Sequence, residues 1–237
     1  MADASASLQS VVPALEAATR RLVRTVDAME DFQFAEPSLL PGWSRGHVVA
    51  HLTLNAEGLA GVVEGLREGR SVPMYASQEA RDSDIEELSG LEPSRLRERF
   101  LASTTLIHHE VSELPEELYA GRIERTQGSD RVFTAGRVGE MRLREVEIHH
   151  ADLDLAYSFE DWPAEFVVAL LDTRAAVYDD PATFTAYAAD LGRSWEFGGG
   201  GPTVSGPGAA LAWWATGRDP GDLLTSDSGE VPTQEAW

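Results

Sequence analysis

Apolar side chains recur at helical spacing along most of the first two thirds of the chain. The first such stretch begins near Leu8, and the second follows Ser44, whose side chain suits the capping position of a helix N-terminus. The polar segment at residues 69–89, which contains Pro73, is predicted to be a long loop. The helices are predicted at about residues 8–31, 44–67, 93–111 and 134–157. Four such helices predict a bundle, in which sites are built from side chains on facing helices.

The pattern changes after Pro163. One more helical stretch is followed by residues 183–189, which alternate between apolar and other side chains as a β-strand does. A turn, a second strand-like segment and four successive glycines come next, and a last helix is predicted over residues 207–216. The sequence therefore predicts a mainly α protein in two domains. These are a four-helix bundle over residues 1–160 and a small α+β domain over residues 161–237.

The composition excludes several classes of function. The chain has 237 residues, a formal net charge of −21 and a pI near 4.5. Such a surface repels phosphate backbones, so no nucleic-acid partner is expected. Because there is no cysteine, disulfides and thiolate metal ligands are excluded, and thiol chemistry requires a thiol from outside. The N-terminus does not resemble a secretory signal, and no apolar run could cross a membrane, so a cytoplasmic protein without a membrane partner is predicted.

All six histidines lie between positions 47 and 150, on the predicted bundle helices. At about 100° of rotation per residue, His51 lies within or at the edge of the apolar face of the second helix, whereas His47 lies further towards the polar side. On the fourth helix, Glu145 and His149 are one turn apart on the apolar face, and His150 points towards the flank of the bundle. The residues predicted to face the interior are therefore His51, Glu145 and His149.

A glutamate on an apolar helix face is unfavourable unless a cation meets it. A divalent metal ion shared by Glu145 and two imidazoles provides that cation. Two histidines and one glutamate are typical of catalytic zinc with an open position for water or substrate, and other divalent ions are also compatible. Two alternatives remain open from the residues alone. The histidines could be hydrogen-bonded core residues, and the glutamate could pair with Arg142 or Arg144.

Five segments of the chain carry a more specific signal. They are LLPGWSRGHVVAHLTLNA (39–56), PMYASQEAR (73–81), MRLREVEIH (141–149), ATGR (215–218) and SGEVP (228–232). Together they resemble the mycothiol-dependent maleylpyruvate isomerases, whose N-terminal half is a DinB-like four-helix bundle. The resemblance extends over nearly the whole chain.

The resemblance implies a set of site residues. It implies that zinc, or another divalent ion, is held by His51, Glu145 and His149, and His51 is also counted among the catalytic residues. It further implies two functional arginines, Arg81 in the segment after the second helix and Arg218 in the C-terminal domain. Both are expected to contact the anionic substrate and the cofactor mycothiol.

The resemblance also implies a reaction, the cis–trans isomerisation of maleylpyruvate to fumarylpyruvate in gentisate degradation. Reversible addition of a thiolate makes the double bond single, so that it can rotate. A metal-bound thiol loses its proton, which provides that thiolate. The expected partners are a small anionic substrate and a low-molecular-weight thiol, with the protein a monomer or a weak homo-oligomer.

Three alternative functions remain compatible with the same residues. A mycothiol S-transferase would use the same bundle, metal and thiol on another electrophile. A metal-dependent hydrolase would hold water in place of the thiol. A non-enzymatic bundle would bind a ligand and use the metal as a structural clamp.

Overall fold

A computed structural model describes residues 2–129 and 132–235. The chain divides into two compact units, Met1–Ala156 and Tyr157–Trp237. Within the described ranges, no helix is long and apolar enough to span a membrane.

The first unit is built around a bundle of four helices. Its described helices are α1 (Ala2–Ala28), α2 (Arg45–Arg67), α3 (Gln78–Ser89), α4 (Pro93–Ser112) and α5 (Val138–Asp152). Helix α2 packs against α4 and α1 packs against α5, while α2 also contacts α5 and α1 contacts α4. The interior of the bundle is apolar. Its fully buried side chains include those of Leu22, Leu59, Phe100 and Val138. The predicted mainly α fold with a four-helix bundle is confirmed.

Local sequence explains how two of these helices begin. The Ser44 side chain accepts a hydrogen bond from the backbone N–H of His47, as its predicted capping role requires. Pro93 occupies the first position of α4, where a missing N–H has no intrahelical partner to lose. These two starts agree with the sequence prediction.

Three features of the first unit differ from the prediction. Residues 78–89 form helix α3 instead of part of a loop, with Ser77 as its N-cap. Only Ile85 and Leu88 of this helix are buried, so its sequence shows few apolar residues at helical spacing. A hairpin of β1 (Arg122–Glu124) and β2 (Val132–Thr134) was also not predicted. Helix α5 ends at Asp152 rather than near residue 157, and the left-handed backbone of Asp154 (φ 53°) follows it.

The second unit is a small α+β domain, as predicted. It contains α6 (Ala164–Ala176), β3 (Phe184–Ala188), β4 (Arg193–Phe197), β5 (Thr203–Gly206), α7 (Gly208–Trp214) and β6 (Thr225–Ser226). The strand order is β4-β3-β5-β6, with β3 and β5 parallel and the other pairs antiparallel. Phe184 and Phe197 stack at 4.5 Å on neighbouring strands and form part of the core. Strands β5 and β6 were not predicted, because segments this short show too little alternation.

Candidate metal centre

Three potential metal ligands converge between helices α2 and α5. His51 projects from α2, whereas Glu145 and His149 project from α5 one turn apart. Nε2 of His51 lies 2.8 Å from Oε2 of Glu145, and Nε2 of His149 lies 3.4 Å from the same oxygen. One ligand atom from each residue lies within 4.8 Å of the others. Within the described ranges, this is the one group of three or more histidines and acidic residues so arranged.

The orientation of the rings suits a shared ion. The imidazoles of His51 and His149 are 4.6 Å apart between centroids and nearly perpendicular, at 85°. Both histidine side chains are less than a tenth exposed, whereas the Glu145 side chain is 19% exposed. An ion placed among the three would therefore be enclosed by protein on the imidazole side and reach solvent beside the carboxylate.

The charge of Glu145 depends on its two histidine partners. Burial alone would raise its pKa, but hydrogen bonds from His149 and His51 outweigh that effect and hold the pKa of Glu145 well below its usual range. The carboxylate is therefore ionised at neutral pH. The salt bridges described for Glu145 are with His51 and His149, at 2.8 and 3.4 Å, and the charge of Arg142 also interacts with this carboxylate.

His149 is oriented by a second carboxylate. Its Nδ1 lies 2.8 Å from Oδ2 of the fully buried Asp152, one turn further along α5. Burial lowers the pKa of His149, but hydrogen bonds to Asp152 and Glu145 outweigh burial and raise it above its ordinary value. A carboxylate on Nδ1 leaves Nε2 as the nitrogen that faces the site. This carboxylate–histidine pairing is the arrangement commonly found behind metal-binding histidines.

His51 has a different partner on its outer nitrogen. Nη2 of Arg81 lies 3.0 Å from its Nδ1. A guanidinium can only donate, so Nδ1 accepts and the ring proton resides on Nε2, where it is directed at Glu145. Burial lowers the pKa of His51 to about 4, which outweighs the opposite effect of its Glu145 hydrogen bond. His51 is therefore a neutral imidazole at neutral pH.

The other histidines lie outside this group. His47 contacts Ser44 through Nδ1 and Glu86 through Nε2, at 2.7 and 3.1 Å. His150 does not lie at the flank, as predicted from its helical angle. It is 1% exposed, and its Nε2 lies 2.7 Å from Oγ1 of Thr25 on α1. The prediction failed because α5 is covered by α1 on that side as well as by α2.

The two predicted functional arginines fall in different units. Arg81 lies in the first turn of α3, contacts His51, and stacks over the ring of Tyr75 at 5.7 Å. Arg218 lies in the second unit, where its guanidinium lies 5.3 Å from the Trp213 ring centre and borders a cleft of about 350 Å³. The structure thus brings Arg81 to His51, one of the candidate metal ligands, while the role of Arg218 stays a prediction.

Four further residues at the centre have contacts that were not predicted from the sequence. Asp152 orients His149, and Arg45 and Arg142 connect α2 with α5. The guanidinium groups of Arg81 and Arg125 both lie near the ring of Tyr75, at 5.7 and 5.8 Å from its centre. Burial, together with the negative charge of Glu145, raises the pKa of Tyr75, so its phenol stays protonated. Only Asp152 left a readable signal, its i, i+3 spacing from His149.

Comparison with known proteins agrees with this architecture. Residues 15–154 match the profile of the family described as the mycothiol maleylpyruvate isomerase N-terminal domain. A solved structure of the mycothiol-dependent maleylpyruvate isomerase is 28% identical to the chain, with a TM-score of 0.89 over 97% of both chains. A structure of a histidine-to-alanine mutant of a mycothiol-dependent maleylpyruvate isomerase is also 28% identical, with a TM-score of 0.87 and the same coverage. Among curated proteins, no significant match is found.

The fold and the site define a helical-bundle protein with a small α+β domain and a candidate divalent-metal centre. The chain belongs to the mycothiol maleylpyruvate isomerase family, because the family profile matches more than half of its length. The resemblance first seen in the five sequence segments is thereby confirmed, as is the prediction of an enzyme of isomerase type.

Proposed function

We propose that this protein is a metal- and mycothiol-dependent cis–trans isomerase that converts maleylpyruvate to fumarylpyruvate in the degradation of gentisate. The observation that carries the proposal is the convergence of His51, Glu145 and His149 within 4.8 Å. Family membership and the likeness to an enzyme named for this substrate and this thiol support the choice of reaction.

We propose that His51, Glu145 and His149 hold one divalent ion, with zinc as the first choice. Their two imidazole nitrogens and one carboxylate oxygen are the donor set of catalytic zinc sites with an open position. The pairing of Asp152 with Nδ1 of His149 turns Nε2 towards the site, and the low pKa of Glu145 keeps that carboxylate ionised. Bound there, the ion supplies a positive charge that lowers the pKa of a thiol brought beside it.

The thiol itself must come from outside, since the chain has no cysteine. Mycothiol supplies a reversible nucleophile, whose addition to and loss from a conjugated double bond let that bond rotate with no net use of thiol. The protein's contribution is to position the reactants and exclude competing chemistry. The cytoplasm is the proposed location, because turnover requires a reduced low-molecular-weight thiol and the cytoplasm is a reducing compartment.

Arg81 is the proposed binding group for a substrate carboxylate in the first unit. Its side chain is only 13% exposed, and it lies beside His51 and Tyr75. A planar guanidinium can bind a carboxylate through two parallel hydrogen bonds. In a chain with a net charge of −21, such a local positive group is needed wherever an anion binds. Tyr75, whose phenol stays protonated, can donate a further hydrogen bond to negative charge that develops on the substrate.

Arg218 is the proposed contribution of the second unit. Its guanidinium is held by a hydrogen bond from Nη1 to the carbonyl oxygen of Thr216, at 2.9 Å, and by the Trp213 ring. These two contacts hold the guanidinium of Arg218 in place at the border of the cleft of about 350 Å³ within that unit. The function proposed for residues 161–237 is therefore to complete the binding of substrate and cofactor.

The test is a maleylpyruvate isomerase assay on metal-loaded protein with and without mycothiol. We expect turnover only when both metal and thiol are present, with thiol concentration unchanged at the end. His51→Ala should abolish turnover, whereas His109→Ala, a change at an exposed histidine on α4, should not. Equal isomerase activity without mycothiol would discard the thiol mechanism, and stoichiometric loss of thiol would indicate an S-transferase. Either result would contradict the proposal.

A further inference from the structure

We propose that Arg45 and Arg142 act as positioning residues that lock α2 against α5 and so preset the distance between the metal ligands on the two helices. Arg45, at the start of α2, donates from Nε to the Leu153 carbonyl at 2.7 Å and from Nη2 to the Asp154 carbonyl at 2.9 Å. Both acceptors directly follow the end of α5. One helix thus holds the end of the other.

The second arginine makes the reciprocal connection. Arg142, on α5, donates from Nη1 to the Leu52 carbonyl and to Oδ1 of Asn55, each at 2.8 Å, and both acceptors belong to α2. The start of α2 therefore lies beside the end of α5, and the two helices run in opposite directions. We call these four hydrogen bonds, made by Arg45 and Arg142, the reciprocal arginine clamp.

The metal ligands lie between the two ends of the clamp. On α2, His51 lies between Arg45 and the Leu52 carbonyl. On α5, Glu145 and His149 lie between Arg142 and the Leu153 carbonyl. A slide or separation of α2 relative to α5 would therefore lengthen hydrogen bonds of the clamp before it could displace His51 from Glu145.

The burial of these arginines argues that they have a role beyond packing. Arg142 is 1% exposed, and among the described residues none accepts a hydrogen bond from its Nε or Nη2. A buried guanidinium with unpaired donors is unfavourable, and an apolar side chain of similar volume would pack there at less cost. The two bonds that Arg142 does make are directed at α2 beside His51. This placement favours fixing the register of the two helices over general stabilisation.

The Arg45 end of the clamp acts on backbone that is itself unusual. Asp154 is the one non-glycine residue with a positive φ in the described ranges, at 53°. A residue in this conformation persists when its surroundings hold it there. Arg45 binds the Asp154 carbonyl and also forms an ion pair with Glu36, so that the chain after α5 is tied to the start of α2.

A metal site built from two helices depends on such positioning. Ligand atoms must lie within a few tenths of an ångström of their correct places for an ion to bind tightly. The clamp supplies this order before an ion arrives, so less of the binding free energy is used to draw α2 and α5 together. The inference rests on the proposed metal site and is independent of the substrate.

The experiment compares Arg142→Met, Arg142→Lys and Arg45→Met with the unchanged protein and a matched control. The control is Arg21→Met, which removes an arginine that ties α5 to α1 through the buried Glu147 at 2.6 Å. Dissociation constants for Co²⁺ are measured by competition with a chromophoric chelator. The visible spectrum of bound Co²⁺ reports coordination geometry, and urea unfolding of the metal-free proteins reports stability.

We expect Arg142→Met and Arg45→Met to weaken Co²⁺ binding by about 10- to 100-fold and to alter the spectrum. Arg142→Lys, which keeps one positively charged donor group, should reduce the Co²⁺ affinity by a smaller factor. Arg21→Met should lower stability and leave the affinity and spectrum of the folded protein unchanged. If Arg142→Met does not fold, Arg142→Lys and Arg45→Met decide the question.

Two results would overturn the inference. One is unchanged affinity in the clamp variants, and the other is an equal loss in the Arg21→Met control. If the unchanged protein binds no Co²⁺ at all, the proposed metal site and the clamp both fail. If it binds Co²⁺ but does not isomerise maleylpyruvate, the proposed reaction fails and the clamp is still tested by the affinities.

Discussion

Nη2 of Arg81 lies 3.0 Å from Nδ1 of His51, and this contact determines which ring nitrogen carries the proton. A donor on Nδ1 places the proton on Nε2, the nitrogen that faces Glu145. A metal ion on Nε2 requires the opposite tautomer, in which the protonated Nδ1 is itself a donor and cannot accept a hydrogen bond from Arg81. Binding of an ion and the Arg81–His51 hydrogen bond therefore exclude each other, and loading the site releases the guanidinium for another acceptor.

Removal of Arg81 is expected to strengthen metal binding while it weakens catalysis. In Arg81→Met, His51 can present Nε2 to an ion without displacing a hydrogen bond, so the affinity for Zn²⁺ should rise by about tenfold, an order-of-magnitude expectation for one lost competing contact. Isomerase turnover should fall, because a substrate carboxylate loses its partner. Chelator competition and initial rates measure the two effects.

The control for this prediction is Arg125→Met, which removes the other guanidinium that contacts the Tyr75 ring, at 5.8 Å. Arg125→Met removes a positive charge, as Arg81→Met does, and leaves the hydrogen bond between Arg81 and His51 in place. An equal gain in affinity in this variant would attribute the effect to charge alone. Weaker zinc binding in Arg81→Met would show that the arginine supports the site.

Asp152 is expected to tune the metal affinity through His149. Asp152→Ala removes the carboxylate 2.8 Å from Nδ1 and leaves the ring without its orienting partner. Loss of such a partner weakens metal binding by about 10- to 100-fold. Titration with Co²⁺ measures the change, and Asp27→Ala, at an exposed aspartate on α1, is the matched control. Unchanged affinity in Asp152→Ala would mean that ring orientation is fixed by packing alone.

Metal affinity should fall as the pH is lowered through the neutral range. Burial opposes the charged form of His149, but its hydrogen bonds to Asp152 and Glu145 prevail and place its pKa above 6.5. Below that pKa a proton must leave His149 before an ion can bind, so the affinity decreases about tenfold per pH unit. Above it, the affinity is at its full value with respect to this residue. His51, with a pKa of about 4, adds proton competition only in more acidic solution.

The same shift has the opposite consequence for the metal-free fold. A pKa raised on folding contributes stability that is fully present below the unfolded value of 6.5 and is lost as the pH rises through the folded value.

The predicted pH dependence of the metal affinity is checked by calorimetric titration with Zn²⁺ between pH 5 and about 8. A constant affinity across this range would contradict the protonation of His149 described here.

Removal of the metal should lower thermal stability in a way that depends on Glu145. An ion present at a thousand times its dissociation constant stabilises the folded state by about 4 kcal/mol. Chelation should therefore lower the Tm of the unchanged protein by several degrees, whereas Glu145→Gln, which loses the charged ligand, should show little response. Differential scanning calorimetry with and without chelator measures both. The same response in Glu145→Gln would place the ion at another site.

The sequence was informative where spacing alone defines a structure. The capped start of α2 at Ser44 and the i, i+4 placement of Glu145 and His149 follow from local pattern, and both occur in the structure. Helix α3 was missed because its polar surface lacks an apolar stripe. Arg81 was therefore predicted to lie in a loop, whereas the structure places it in the first turn of α3.

The contacts across the bundle were beyond local pattern. Arg45 and Leu153 are 108 positions apart, and Arg142 and Leu52 are 90 positions apart, so no periodicity connects them. The buried position of His150 likewise depends on the way α1 covers α5. These features depend on how whole helices pack together. The angular position of a residue within one helix does not predict that packing.

The most direct test is a crystal structure of zinc-loaded protein with anomalous diffraction measured at the zinc edge. We expect one ion per chain, bound by a nitrogen of His51, a nitrogen of His149 and a carboxylate oxygen of Glu145 at about 2.0–2.2 Å. We also expect Arg81 to have left Nδ1 of His51. An ion bound at other residues, or no anomalous peak between α2 and α5, would contradict the account.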